Sequence, residues 1–73
     1  MFETSLQDRP ELLRIDAHIL QSELMVTRQQ ARVDRLERTG NESSLSRSLL
    51  QNFKIALQLQ YAHRDHVLRQ LRH

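Results

Sequence analysis

The only glycine of this chain, Gly40, lies near its centre and divides it into two helical patterns of similar length. Gly40 can adopt the left-handed backbone conformation that closes a helix, and Arg35 and Arg38 precede it, where cations suit the negative end of the helix dipole. Ser43 or Ser44 can cap a following helix with a side-chain oxygen. So short a connection predicts that the two helices are antiparallel neighbours.

The first helix is predicted to begin near Arg9. Asp8 and Glu11 have the spacing of a capping box, and Pro10 suits a first helical turn because its missing amide hydrogen costs little there. Residues before this signal lack a sustained apolar period. The predicted segments are a flexible N-terminal arm at 1–8 and a single helical-hairpin domain at 9–73, with helices at about 9–38 and 44–72.

Apolar residues of the first helix recur at the three- and four-residue intervals of a coiled-coil heptad. This stripe consists of Leu12, Ile15, Ile19, Ser22, Val26, Gln29, Val33 and Leu36. A second apolar stripe lies beside it and consists of Leu13, Ala17, Leu20, Leu24 and Ala31. The second helix is expected to present one main apolar face, made of Leu45, Leu49, Leu50, Phe53, Ala56, Leu57, Val67, Leu68 and Leu71.

Apolar arcs this wide exceed what a two-helix hairpin can bury, and a chain of 73 residues has little core of its own. We therefore expect an all-α antiparallel two-helix hairpin, with long coiled-coil-like helices, that dimerises into a four-helix bundle. The residues expected at the dimer interface are Leu20, Leu24, Ile55 and Leu59.

Polar residues are predicted to meet at the centre of the helix pair. Folding at Gly40 brings together a polar core layer made of Glu23, Gln29, Gln60, His63 and Arg64. Glu23 points into the apolar arc and is expected to pair with Arg64 or His63, because removing one partner of a buried ion pair typically costs about 3–5 kcal/mol. Two interpretations stay open: a layer that fixes the helix register, and a ligand or regulatory site.

Composition and motif chemistry weigh against several function classes. Without cysteine the chain has no disulfide and no thiolate zinc site, and no apolar run approaches the ~20 residues that span a bilayer. His63 and His66 are spaced to share a metal, but position 60 is Gln where helical di-metal sites carry Glu. Arg64 follows His63, whereas phosphotransfer histidines are typically followed by an acidic residue. We expect a cytoplasmic protein without cofactor or enzymatic activity, with a histidine-based metal or phosphotransfer site as a weaker hypothesis.

A basic stripe at helical spacing lies towards the end of the first helix. It consists of Arg28, Arg32, Arg35 and Arg38. Phosphate contact is one interpretation, and a solvated, salt-bridged face is the other, because Asp34 and Glu37 interrupt the positive charge. With eleven basic and nine acidic residues the formal charge is only +2, so no strong global field attracts nucleic acid.

The pattern from His18 to Leu71 resembles a family of short, uncharacterised bacterial helical-hairpin proteins. The resemblance is carried by His18-Ile19, Glu23, Arg28-Gln29, Leu36-Glu37-Arg38 before Gly40, Leu45, Leu49-Leu50, Phe53, Leu57, Ala62-His63-Arg64-Asp65 and Leu68. It implies the hairpin fold but no established activity. Leu24 and Met25 replace residues that are commonly basic in the family, and Gln60 stands where histidine is common, which favours an apolar contact over a metal site.

These observations predict a non-enzymatic protein–protein interaction module that acts as a homodimer. Its mechanism would be helix-in-groove recognition by exposed apolar side chains, with charged pairs giving orientation. An unknown helical protein is a further expected partner, nucleic acid is the alternative, and no membrane contact is expected.

Overall fold

The computed structural model describes residues 2–72, with side-chain surroundings from Pro10 to Arg72, and consists there of two α-helices. Helix α1 runs from Phe2 to Arg38 (37 residues) and helix α2 from Ser44 to Leu71 (28 residues). The helices pack along each other in a rod of 60 × 15 × 12 Å. The predicted all-α helical hairpin is confirmed.

Helix α1 begins at Phe2, before the predicted start near Arg9, and Pro10 lies inside the helix. An interior proline removes one backbone hydrogen bond and crowds the preceding turn. Extension past it remains favourable because adding a residue to an existing helix requires no new nucleus, and Glu3, Leu6 and Gln7 are good helix formers. The arm predicted at 1–8 comprises Met1, which lies outside the described residues, and seven residues within α1.

The turn closes α1 with the backbone geometry that the glycine predicted. Gly40 has φ +73°. Its N–H donates to the Glu37 carbonyl at 3.2 Å, and the Asn41 N–H donates to the Leu36 carbonyl at 2.9 Å. This pair of bonds is the Schellman motif, which satisfies carbonyls that the helix end would leave open.

Glu42, and not a serine hydroxyl, caps the start of α2. Its carboxylate accepts a hydrogen bond from the Ser44 N–H at 2.6 Å, and this bond lowers the pKa of the Glu42 carboxyl. Ser43 occupies the N-cap position without a side-chain cap bond, because its side chain is buried against the helix pair. The predicted cap by Ser43 or Ser44 is therefore wrong, although the position of the helix start is confirmed.

The heptad stripe of α1 forms the contact with α2, and we call it the inner stripe. All eight of its residues are buried or half-buried. Ile15 and Ile19 join Leu57 and Val67 in the main apolar cluster, while Val33 is the most buried residue at 3% exposure. The inner stripe was therefore predicted correctly from its spacing.

The buried face of α2 is rotated from the predicted one. Its buried and half-buried positions also repeat as a heptad. Four of them are polar, namely Ser43, Ser46, Gln60 and Arg64, and they lie among the apolar residues Leu50, Phe53, Leu57 and Val67 along the contact. Leu45, predicted on this face, is 83% exposed, and Ala56 is exposed as well. The predicted face was defined by apolar residues alone. It therefore left out the polar contact positions and lay at a different angle around α2.

Across residues 2–72, neither helix combines the length and the apolar character that a bilayer span requires.

Candidate interaction surfaces

Glu23 does not form the ion pair predicted for it. Its side chain is exposed and accepts a hydrogen bond from the Tyr61 hydroxyl at 2.5 Å. Arg64 instead donates its Nε to the Asp16 carboxylate at 2.6 Å, and His63 is exposed. The correction has a geometric cause: Glu23 follows a contact residue by one position, so it lies about 100° around the helix, at the edge of the helix contact and not in it.

The bond to Glu23 changes the acidity of Tyr61. Because the carboxylate accepts the phenolic hydrogen, it favours the neutral phenol, and partial desolvation and the negative charge of Glu23 act in the same direction. The pKa of Tyr61 is therefore raised. The pair ties α1 to α2 at the border of the apolar cluster, against which Tyr61 also packs.

The two glutamines of the predicted polar core layer have different surroundings. Gln29 is buried, and its Nε2 donates to the Ser46 carbonyl at 2.9 Å, a contact that fixes the register of the helices near the turn. Gln60 lies deeper along the rod, and its Oε1 is buried without a hydrogen-bond partner among the described residues. The predicted layer is thus distributed along the contact and does not form one site.

One edge of the hairpin carries a column of polar side chains, three of them carboxylates, which we call the acidic edge. It consists of Asp16, Glu23, Gln30 and Glu37, one heptad apart. Three of the four are bonded to α2, through Arg64, Tyr61 and Arg47. The acidic edge therefore fastens the two helices, and its negative charge is partly neutralised within the hairpin.

The predicted phosphate-contact residues are exposed, and three of them surround an open groove of about 350 Å³. Arg28, Arg32 and Arg35 line it together with Met25 and Phe53, whereas the predicted Arg38 does not. Between residues 10 and 72, the carboxylates within 4.0 Å of an arginine belong to the pairs Glu37 with Arg47 and Asp16 with Arg64. The groove arginines are thus unneutralised by the described side chains, which distinguishes them from a salt-bridged face.

The four predicted interface residues are all exposed, but they do not form one surface. Leu24 lies two residues from both Ser22 and Val26, so it points away from the helix contact. On α2, Ile55 lies two residues from both Phe53 and Leu57, so it also points away from the helix contact. Leu20 and Leu24 therefore lie on the back of α1, while Ile55 and Leu59 lie on the back of α2.

The back of α1 carries the longer of the two exposed apolar surfaces. We define the outer stripe as Leu13, Ala17, Leu20, Leu24, Thr27 and Ala31, which repeat at alternating intervals of four and three residues and are all exposed. Thr27 completes the heptad spacing between Leu24 and Ala31, and a search for apolar residues misses it because its side chain carries a hydroxyl. On α2 the comparable surface is limited to Ile55, Leu59 and Ala62.

No metal-binding arrangement is found in the part of the chain with described side chains. Residues 10–72 contain no group of three His, Cys, Asp or Glu side chains close enough to share an ion. His63 and His66 are both exposed on α2.

Comparison with protein-family models, with curated proteins and with solved structures finds no match to this chain. The resemblance to short bacterial helical hairpins therefore stays a prediction.

Proposed function

We propose that this hairpin is a non-enzymatic protein–protein interaction module that acts as a cytoplasmic homodimer. The observation that carries the proposal is the imbalance of its apolar side chains. Among residues 10–72, six apolar side chains are buried, none of them below 2% exposure, whereas nine large apolar side chains are exposed. A second copy is the simplest cover for this surface, because small domains without disulfides or metals commonly gain stability by association.

Self-association would also stabilise a hairpin with so small a buried core. A fully buried Leu or Ile side chain contributes about 1.5–3 kcal/mol relative to an exposed one. Two or three such residues per copy would contribute about 6–18 kcal/mol per dimer, which is comparable with the cost of about 4–15 kcal/mol for the translational and rotational freedom lost on association. Two associated hairpins would bring four helices together, and the surface left uncovered could receive a helix of another protein.

Sedimentation equilibrium over a wide range of protein concentration tests the proposal. We expect the wild-type chain to have the mass of a dimer, and Leu24→Glu to shift it to the monomer because the substitution places a charge in an apolar contact. Gln51→Glu is the matched control, since it introduces the same charge at an exposed polar position of α2. A wild-type monomer at every concentration would contradict the proposed function.

Binding of a polyanion such as nucleic acid is the second candidate function, and the arginine-lined groove is the observation that favours it. Phe53 and Met25 border the groove and offer an apolar surface beside the guanidinium groups. Binding to a short oligonucleotide should weaken steeply with salt and be lost in Arg32→Glu with Arg35→Glu, but not in Arg69→Glu on α2. Absence of retention at low salt would remove this candidate.

A further inference from the structure

The outer stripe has the spacing of a second coiled-coil contact on the same helix. In a two-stranded coil, residues at alternating intervals of three and four stay in contact with the partner helix. Ala17, Leu24 and Ala31 would occupy one core position of the heptad, and Leu13, Leu20 and Thr27 the other. The stripe runs from Leu13 to Ala31, a length of about 27 Å at 1.5 Å per residue.

The charges that flank the outer stripe have opposite signs on its two sides. On one side is the acidic edge, with Asp16 and Glu23. On the other side are Arg14 and Arg28, with Gln21 between them. Flanking residues of this kind determine which helix orientation a coiled coil adopts.

A parallel pair of α1 helices brings the unlike flanks together. In that arrangement a residue of the acidic edge faces the residue five positions further along on the opposite flank of the other helix. Glu23 then meets Arg28 of the partner subunit, and the partner subunit's Glu23 meets Arg28, so the pair forms twice. Tyr61 bonds only Oε2 of Glu23, which leaves Oε1 for the partner's guanidinium.

An antiparallel pair of the same stripes brings like flanks together. Glu23 would then face Glu23 of the partner subunit, and Arg14 would face Arg28 of the partner subunit. Like charges placed opposite each other at an interface suppress that arrangement. The charge pattern therefore favours the parallel orientation.

The hairpin fold leaves room for this contact. The inner and outer stripes lie on nearly opposite sides of α1, because Leu24 points away from the contact with α2. Each copy's α2 would therefore lie on the outside of the pair. The four helices would form a row with the two α1 helices in the middle, an arrangement that differs from the four-helix bundle predicted from the sequence.

From these observations we infer that the outer stripe of α1 is a docking surface for a second copy of this chain, with the two α1 helices parallel. The inference rests on the proposed self-association and specifies its surface and its orientation.

Disulfide trapping tests the geometry directly, because the natural chain contains no cysteine. In a parallel pair, identical positions of the stripe face each other within the Cα separation that a disulfide bridges. We expect Ala17→Cys and Ala31→Cys, prepared as separate single variants, each to give a covalent dimer on mild oxidation. Ala62→Cys, which is also exposed but lies on the back of α2, is the control and should stay monomeric on a denaturing gel.

The alternatives give different trapping patterns. Antiparallel α1 helices would cross-link a mixture of Ala17→Cys with Thr27→Cys, but neither variant alone, and this result would overturn the inferred orientation. Trapping at Ala62→Cys alone would overturn the inferred surface. If sedimentation shows a dimer but neither Ala17→Cys nor Ala31→Cys gives a covalent dimer, the inference is refuted and the proposed function stands. A wild-type monomer would refute both.

A charge exchange provides an independent check without cysteine. Glu23→Arg should raise the dimer dissociation constant at least about tenfold, because two arginines then face each other across the pair. Adding Arg28→Glu to the same chain should restore dimerisation, since the unlike pair is re-formed with reversed sign. Failure of the second substitution to restore the dimer would contradict the pairing of Glu23 with the partner's Arg28.

Discussion

The inner and outer stripes of α1 are two heptads on one helix with different residues. The inner stripe combines Ile and Val with buried Gln29 and half-buried Ser22, and α2 covers it. The outer stripe is built from Leu, Ala and Thr, and it is exposed along its whole length. The same spacing therefore does not tell how a stripe is paired, and the polar groups in or beside it are more informative: Gln29 bonds Ser46 of α2, and Glu23 with Arg28 would orient a second copy.

Truncation of neighbouring side chains, one in each stripe, should lower the free energy of unfolding with a different dependence on protein concentration. This is the largest effect that we expect. Ile19→Ala removes a buried side chain from the main cluster and should lower the free energy of unfolding by about 2–5 kcal/mol at every protein concentration. Leu20→Ala should destabilise the protein only where the wild type is dimeric. Urea denaturation followed by circular dichroism at several concentrations measures both, and equal losses at high dilution would contradict the distinction.

A substitution at Gln60 tests the polar part of the contact between α1 and α2. Its expected effect on the free energy of unfolding is smaller. Its buried Oε1 lacks a hydrogen-bond partner among the described residues, and an unsatisfied buried polar group costs about 1–3 kcal/mol. Gln60→Leu should therefore raise the free energy of unfolding by about 1 kcal/mol. Gln58→Leu, at an exposed position of the same helix, is the control in the same denaturation experiment and should give little increase. A loss of stability in Gln60→Leu would show that the amide is satisfied.

The smallest expected effect is a pH dependence at the acidic edge. Because the folded-state pKa of Tyr61 is raised, its bond to Glu23 stabilises the hairpin below the ordinary phenol pKa of about 10 and is lost as pH rises through the raised value. The difference in thermal midpoint between wild type and Tyr61→Phe should be present near neutral pH and decline in alkaline solution. Glu23→Gln should reduce this decline, and a difference that grows with pH would contradict the assignment.

The turn and the inner stripe could be predicted because each depends on local rules. Gly40 alone supplies a backbone with positive φ at no steric cost, and the spacing of the inner stripe is independent of its partner. The start of α1 could not be placed in the same way, because Asp8, Pro10 and Glu11 suit a helix start but are also compatible with a helix that continues.

The partners of individual side chains were harder to predict than the elements that carry them. Whether Glu23 faces Arg64 or Tyr61 depends on the rotation and the register of the two helices, because these two residues of α2 lie about 4.5 Å apart along the helix and about 60° apart around it. The rotation of α2 also places Ile55 on the back of that helix. An apolar pattern alone cannot provide this angle, because it omits the polar residues that α2 buries.

The sequence separation of the cross-helix bonds grows with distance from the turn, and this has a consequence for folding kinetics. The separations are 10 residues for Glu37 with Arg47, 17 for Gln29 with Ser46, 38 for Tyr61 with Glu23 and 48 for Arg64 with Asp16. Short loops close with the smallest loss of chain entropy, so the hairpin should nucleate beside Gly40 and close progressively towards Ile15 and Val67. Changes near the turn should then alter mainly the folding rate, whereas changes in the distant apolar cluster should alter mainly the unfolding rate.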